Sequence, residues 1–233
     1  METSNVRLIS LTQPFQTVVY DPHDDEKILS THLVGRTAEE MIAYTARVSN
    51  PANQNNTKTA PRLLKYLIKN KHWSPFEMAH MTVEIETSRG IAQQILRHRS
   101  FAFQEFSQRY AEATEFITYP ARRQDDKNRQ NSIDDIHPHV KAWFIGAQEE
   151  VQEYANLRYK EALALGIAKE QARFLLPIET KTTLYMSGSI RSWIHYIDLR
   201  RSNGTQLEHR EIALKCMDIL RQHFPSVAEA MEW

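Results

Sequence analysis

A chain of 233 residues is long enough to bury a substantial core as one domain, 1–233, and its 29 Lys plus Arg balance 29 Asp plus Glu to a net charge of zero. That balance argues against bulk nucleic acid or a membrane surface as a partner, and no run of about 18 apolar residues is available to span a bilayer. The opening METSNVRLIS has no charged-then-apolar signal pattern, so a cytoplasmic protein is expected, and the single cysteine rules out an internal disulfide or a cysteine-based zinc cluster.

Val6–Leu11 and Gln16–Tyr20 are short β-branched runs separated by Pro14 and read as two strands. Thr37–Val48 reads as a helix, with Thr37 as N-cap and Glu40 completing a capping box. After a polar loop around Pro51, Thr59 is expected to cap a second helix. Pro61 sits in its first turn, Leu63, Leu64, Leu67 and Ile68 form its buried stripe, and its end falls near Lys71. His72–Glu77 (HWSPFE) is a turn anchored by Phe76, and Met81–Ser88 alternates as a strand with Val83 and Ile85 on one face. Gly90–Leu96 is a short helix, with Ile91 and Ile95 four residues apart, that delivers Arg97-His98-Arg99. An irregular loop anchored by Phe101, Phe103 and Phe106 should follow.

Ala121–His139 is highly polar and reads as a surface excursion. Its Asp134-Asp135 and His137-x-His139 lack a framework for metal ligation, so no metal is expected. Lys141–Leu165 is a long amphipathic helix ending at Gly166, and Lys169–Leu176 is helical up to Pro177. Thr182–Met186 favours β structure. Ile190–Leu199 is a helix with Ile190, Trp193, Ile194 and Ile197 toward the core and Arg191, His195 and Asp198 facing elsewhere, and Leu207–Phe224 is the last helix. The fold expected is α+β, a small mostly antiparallel sheet covered by helices. Cys216, four residues from Ile212 and within a turn of Ile219 and Leu220, reads as a packing thiol.

The chemistry concentrates at Arg97-His98-Arg99, followed after seven residues by Ser107 and then Arg109. Arginine suits phosphate because its planar fork donates in pairs and stays charged. The same residues are compatible with a solvated helix end, with a nucleic-acid-binding module using the aromatics for stacking, or with an assembly protein whose arginines pair between subunits. No GxGxxG or GxxxxGK[ST] is present, so neither a Rossmann turn nor a P-loop is expected.

The R-H-R, seven residues, S-x-R pattern resembles the signature of the flavin-dependent thymidylate synthases (the ThyX family). His72-Trp73-Ser74-Pro75-Phe76-Glu77 is similar to that family's H-x-[ST]-P-F-E element, and Ala172-Arg173 before Leu175-Leu176-Pro177 to its A-R-x-x-L-P element. Arg191 and Arg200 fall where the family has arginines on a late helix. The resemblance spans about Thr31 to Met217. It implies a ThyX-like fold and methylation of dUMP to dTMP, with methylenetetrahydrofolate as carbon donor, FAD as the hydride-carrying cofactor and NADPH to re-reduce it, without a cysteine nucleophile.

The resemblance also implies roles. Gln94, Arg97, Glu105, Ser107, Gln108 (through its backbone), Arg109, Arg173 and Arg200 would hold dUMP. Ser74, Arg97, His98, Arg99, Glu105, Arg191 and His195 would touch FAD, and His72 would line the folate pocket. Arg200 and Ser107 are the catalytic candidates, Arg200 against the uracil carbonyl edge and Ser107 hydrogen bonding to the nucleotide. Ser189 and Gly204 depart from an asparagine and a histidine of some relatives, and His195 replaces an asparagine. The family's sites form between subunits of a homotetramer, so the same assembly is implied here.

Overall fold

In a computed structural model of the chain, residues 4–15, 17–21, 24–30 and 36–233 are described. The strands are β1 (Asn5–Leu11), β2 (Thr17–Asp21), β3 (Asp24–Ser30), β4 (His80–Ser88), β5 (Ala102–Glu105), β6 (Arg123–Gln124), β7 (Ser132–Ile133) and β8 (Lys181–Ser189). The helices are α1 (Ala38–Ala46), α2 (Ala60–Lys69), α3 (Arg89–Ile95), α4 (Pro138–Ala164), α5 (Lys169–Ala172), α6 (Ile190–Arg200), α7 (Leu207–His223) and α8 (Pro225–Ala230). The main sheet has the order β1-β4-β8-β5, while β2-β3 and β6-β7 are separate two-stranded pairs. Contacts cluster into two compact units. The first comprises Met1–Arg7, Val83–Met186 and Tyr196–Lys215, and the second Leu8–Thr82, Ser187–His195 and Cys216–Trp233.

In the first unit, Ser4 meets Thr87 and Arg7 meets Glu84, so β1 runs antiparallel to β4. Tyr185 Oη–H donates to Glu84 and the Arg89 N–H to the Thr180 carbonyl, which makes β8 antiparallel to β4 as well. The α+β expectation with a small antiparallel sheet is met. Strand β4 is covered beyond the Val83–Ile85 face: Val83, Ile85 and Thr87 are fully buried, and on the other face Glu84 and Ser88 are buried while Thr82 and Glu86 stay half-exposed. Its buried carboxylate is tolerated because Arg7 and Tyr185 both donate to it.

The loop expected after Arg99 is instead strand β5. Phe101 is its buried anchor and Phe103 is half-buried, but Phe106 is exposed and contributes its backbone N–H to the Thr183 carbonyl (2.9 Å). The polar excursion forms the hairpin β6-β7, in register Arg123↔Ile133, and Arg123 ties it to Asp135 and Asp126. Helix α4 starts at Pro138, earlier than expected, because proline suits the first helical position; it stops before Gly166, whose φ of +81° is left-handed. Its buried stripe is narrow, with Tyr159 and Ala162 packing on Ala172, while Trp143, Val151, Tyr154 and Leu157 stay exposed.

In the second unit, the capping box of α1 is formed: Thr37 Oγ1 accepts from the Glu40 N–H and Glu40 Oε2 accepts from the Thr37 N–H. Thr59 stands at the start of α2 but does not cap it. Its hydroxyl accepts instead from the guanidinium of buried Arg47 (2.7 Å), a cation that cannot be left without acceptors. Leu64 and Leu67 are buried and Leu63 and Ile68 half-buried, as the stripe required, and Lys71 ends the element with φ +58°. Phe76 is fully buried in a 3-10 turn, Ser74–Glu77. Helix α7 is not the last: Pro225 opens α8, and the Val227 N–H donates to buried Glu39 (2.8 Å). The β2-β3 pair is antiparallel with Val19↔Ile28; the first of these strands was expected and the second was not.

Candidate active site

In the first unit, α3 ends at Ile95, so Arg97, His98 and Arg99 leave a helix end as the spacing requires. Arg97 and Arg99 are exposed and His98 is half-buried. The His98 ring stands edge-on to Tyr196 at 4.8 Å, and Arg200 Nε donates to His98 Nε2 at 2.9 Å. Because a guanidinium only donates, Nε2 must be bare and the neutral ring must carry its proton on Nδ1. Burial, reinforced by the Arg200 charge, pushes the imidazolium of His98 down to about 4. Among the described residues no carboxylate pairs with Arg200, and its two terminal nitrogens are left to donate elsewhere.

Behind His98, the fully buried His209 shares a hydrogen bond with Tyr196 Oη (3.1 Å). Burial, then Arg200 and His98, push its pKa down to about 3. Both imidazoles therefore bind protons in the unfolded chain near pH 6.5 but resist doing so when folded. Their contribution to stability is complete above about pH 6.5 and is lost as pH falls through that value toward the folded pKa values. His209→Gln is expected to flatten the dependence of the urea midpoint on pH between 6.5 and 4. A slope equal to that of the unsubstituted protein would contradict this.

Glu105, at the end of β5, accepts from Arg89 (2.7 Å) and from the Thr182 hydroxyl (3.0 Å). The Ser107 hydroxyl accepts weakly from the Arg109 N–H at 3.4 Å. Gln108 is buried, with its side-chain amide nitrogen unsatisfied among the described residues. Arg109 and Arg173 come from distant parts of the chain yet meet at one residue. Arg109 pairs with the Glu170 carboxylate (3.3 Å) and Arg173 Nε donates to the Glu170 carbonyl (3.2 Å). Gln94 borders a cavity of about 410 Å³ with Gln206, Glu208, Arg122 and Tyr119.

In the second unit, His72 and Ser74 are exposed around the 3-10 turn. Arg191 pairs with Glu77 at 2.8 Å. Ser189, then Arg191, hold the Glu77 carboxyl below its ordinary range. His195 Nδ1 lies 2.9 Å from the Arg191 carbonyl, which can only accept, so Nδ1 carries the proton; the ring stands against Trp73 at 4.7 Å. Ser189 is buried and bonded to Ser192.

The supporting residues Tyr196, His209, Arg89, Gln206, Glu208 and Arg122 have no part in the motifs the sequence offers. Glu77, which pairs with Arg191, is the last residue of the HWSPFE element. Among the described residues no three His, Cys, Asp or Glu side chains gather as a metal site, and no helix is long and apolar enough to cross a membrane.

Cys216 is fully buried, and burial raises its thiol well above the ordinary range, so a thiolate is not available at neutral pH. Cys216→Ser is expected to keep its activity, with at most a modest loss of stability from a hydroxyl in an apolar place. Complete loss of turnover in a folded variant would contradict this.

A family described as "Thymidylate synthase complementing protein" matches residues 31–226. The chain is 59% identical over 198 residues to a probable flavin-dependent thymidylate synthase of Paramecium bursaria Chlorella virus 1, covering 84% of this chain and 92% of that one. It is 53% identical over 229 residues to a flavin-dependent thymidylate synthase of Synechocystis sp., covering 98% and 100%. Among solved structures, a UMP/dUMP methylase PolB from Streptomyces cacaoi, bound with 5-Br dUMP, superposes with a TM-score of 0.81 at 22% identity, covering 100% of this chain and 96% of that one, a likeness of fold.

Proposed function

The chain belongs to the thymidylate synthase complementing protein family, whose relatives named above are flavin-dependent thymidylate synthases, and on that premise we propose that it methylates dUMP to dTMP as a single functional domain. The carbon comes from methylenetetrahydrofolate at the methylene level and must gain two electrons to become a methyl group. Bound reduced FAD supplies them as a hydride, with NADPH restoring the reduced cofactor, and the folate leaves as tetrahydrofolate. The buried Cys216 takes no part.

The observation that carries this reading is the bond between the motif histidine and Arg200, two residues 102 positions apart. It holds one arginine nitrogen and leaves the terminal fork to donate to the uracil carbonyl edge, where negative charge grows as C5 becomes nucleophilic. Arg109 and Arg173 grip the dUMP phosphate, with Glu170 as the carboxylate that the phosphate displaces from Arg109. Gln94, Arg97, Glu105, Ser107 and the Gln108 backbone complete the nucleotide contacts. Exposed Arg97 and Arg99 and the Nδ1–H of His98 suit an anionic, acceptor-rich cofactor, as do Arg191, His195 and Ser74, while His72 lines the folate pocket.

The assembly proposed is a homotetramer with shared sites; the exposed Trp143, Val151, Tyr154 and Leu157 on α4 support self-association, since an apolar surface favours burial against another copy. Zero net charge speaks against a nucleic-acid module and accords with a cytoplasmic enzyme of small substrates. The test is purification of the protein with its bound chromophore: a flavin spectrum bleached by NADPH and restored on adding dUMP with methylenetetrahydrofolate supports the reading. A colourless protein that neither binds FAD nor forms dTMP contradicts it.

A further inference from the structure

We infer that Arg122, Glu208 and Gln206 are positioning residues that fix which end of the Gln94 amide meets the nucleotide, and that this end is the carbonyl. The inference rests on the reading of Gln94 as a dUMP contact. Arg122 donates to Glu208 Oε1 at 2.5 Å, and the pair is largely buried, with side chains 13% and 4% exposed. The Arg122 Nε is anchored in turn on the Ser132 hydroxyl (2.9 Å) of the β6-β7 hairpin. Glu208 Oε2 accepts from Gln206 Nε2 at 2.9 Å, and Gln206 Oε1 accepts from Gln94 Nε2 at 2.6 Å.

The direction of this chain is not a free choice. A guanidinium only donates and a carboxylate only accepts, so Gln206 must turn its NH2 toward Glu208 and its carbonyl toward Gln94. Gln94 must then spend one of its two N–H groups on Gln206, which turns its Nε2 toward the relay and leaves its Oε1, unused by the relay, to be offered to a ligand. With Oε1 turned outward, the group recognised is a hydrogen-bond donor on dUMP, either the imide N3–H of uracil or the hydroxyl of the sugar. Cytosine, whose N3 has no hydrogen, would present a lone pair to the same oxygen if the imide is the group read. The hairpin thus acts on substrate choice through Arg122 and Glu208.

The experiment measures binding to the FAD-loaded protein by calorimetry for dUMP, for N3-methyl-dUMP and for 2′,3′-dideoxyuridine 5′-monophosphate. Gln206→Leu cuts the relay while leaving the Arg122–Glu208 pair intact, and Glu208→Gln removes its acceptor-only end. Both variants are expected to weaken dUMP roughly tenfold, the worth of one well-placed hydrogen bond. The analogue that lacks the recognised donor should be insensitive to both substitutions, and which analogue that is identifies the donor. Equal weakening of all three ligands, or no weakening of dUMP, would overturn the relay. Formation of dTMP by the unsubstituted protein tests the functional reading separately, so the two can fail independently.

Discussion

Arg200→Ala is expected to bind FAD and fold normally but to form dTMP on the order of 100- to 1000-fold more slowly, the usual loss when one preorganised donor to a developing negative charge is removed. The ground-state uracil carbonyl is a modest acceptor. On the proposed assignment of Arg200 to the carbonyl edge, a donor that meets an oxygen gaining charge along the reaction binds it more strongly in the transition state, so its loss should fall on rate more than on affinity. The geometry adds a second consequence: Arg200 is the donor to His98 Nε2, and its removal frees the motif histidine to rotate away from Tyr196. Arg200→Lys should recover little, because an ammonium cannot hold His98 with one nitrogen and present a planar fork with the others. Single-turnover oxidation of the reduced variant at the unsubstituted rate, with saturating dUMP and methylenetetrahydrofolate, would reduce Arg200 to a support for His98.

Arg109→Ala and Arg173→Ala should fail in a different way. On the proposed assignment each removes a charged donor from the phosphate, a contact of about 1.5–3 kcal/mol, so dUMP affinity should drop by on the order of 10- to 100-fold while the rate at saturation changes little. Because both arginines meet at Glu170, their effects should not add: once one is gone, the phosphate loses its bidentate seat and the second costs less. A double variant whose loss equals the product of the single losses would contradict a shared phosphate site. The measurement is dUMP titration of each flavin-loaded variant, set against its rate at saturation.

Local chemistry made much of this legible before any coordinates. The capping box at Thr37, the αL stop at Gly166, the burial of Phe76 and the sorting of α6 into a core side and an Arg191–His195 side all follow from spacing and backbone preference within a few residues. What escaped depended on contacts distant in sequence. Thr59 looked like a cap because nothing nearby announced that Arg47 would claim its hydroxyl. The strand β5 was hidden in an aromatic run, since pairing with a partner some eighty positions away decides whether Ala102–Glu105 is loop or ladder. At the site, the motif named Arg97, His98, Arg99, Ser107 and Arg109, but the residues that orient them, such as Tyr196 and His209 behind His98, carry no periodic or motif signal. The polar excursion read as featureless for the same reason: the importance of Arg122 lies in a partner, Glu208, 86 positions on.

The central claim is that this chain methylates uracil with electrons carried by flavin and not through a cysteine. Anaerobic mixing of the reduced, FAD-loaded protein with dUMP and methylenetetrahydrofolate tests it most directly, with flavin absorbance and folate products followed together. One dTMP and one tetrahydrofolate per flavin oxidised, unchanged in Cys216→Ser, is the predicted result. Formation of dTMP with dihydrofolate as the product, flavin remaining reduced and activity abolished by Cys216→Ser, would contradict it.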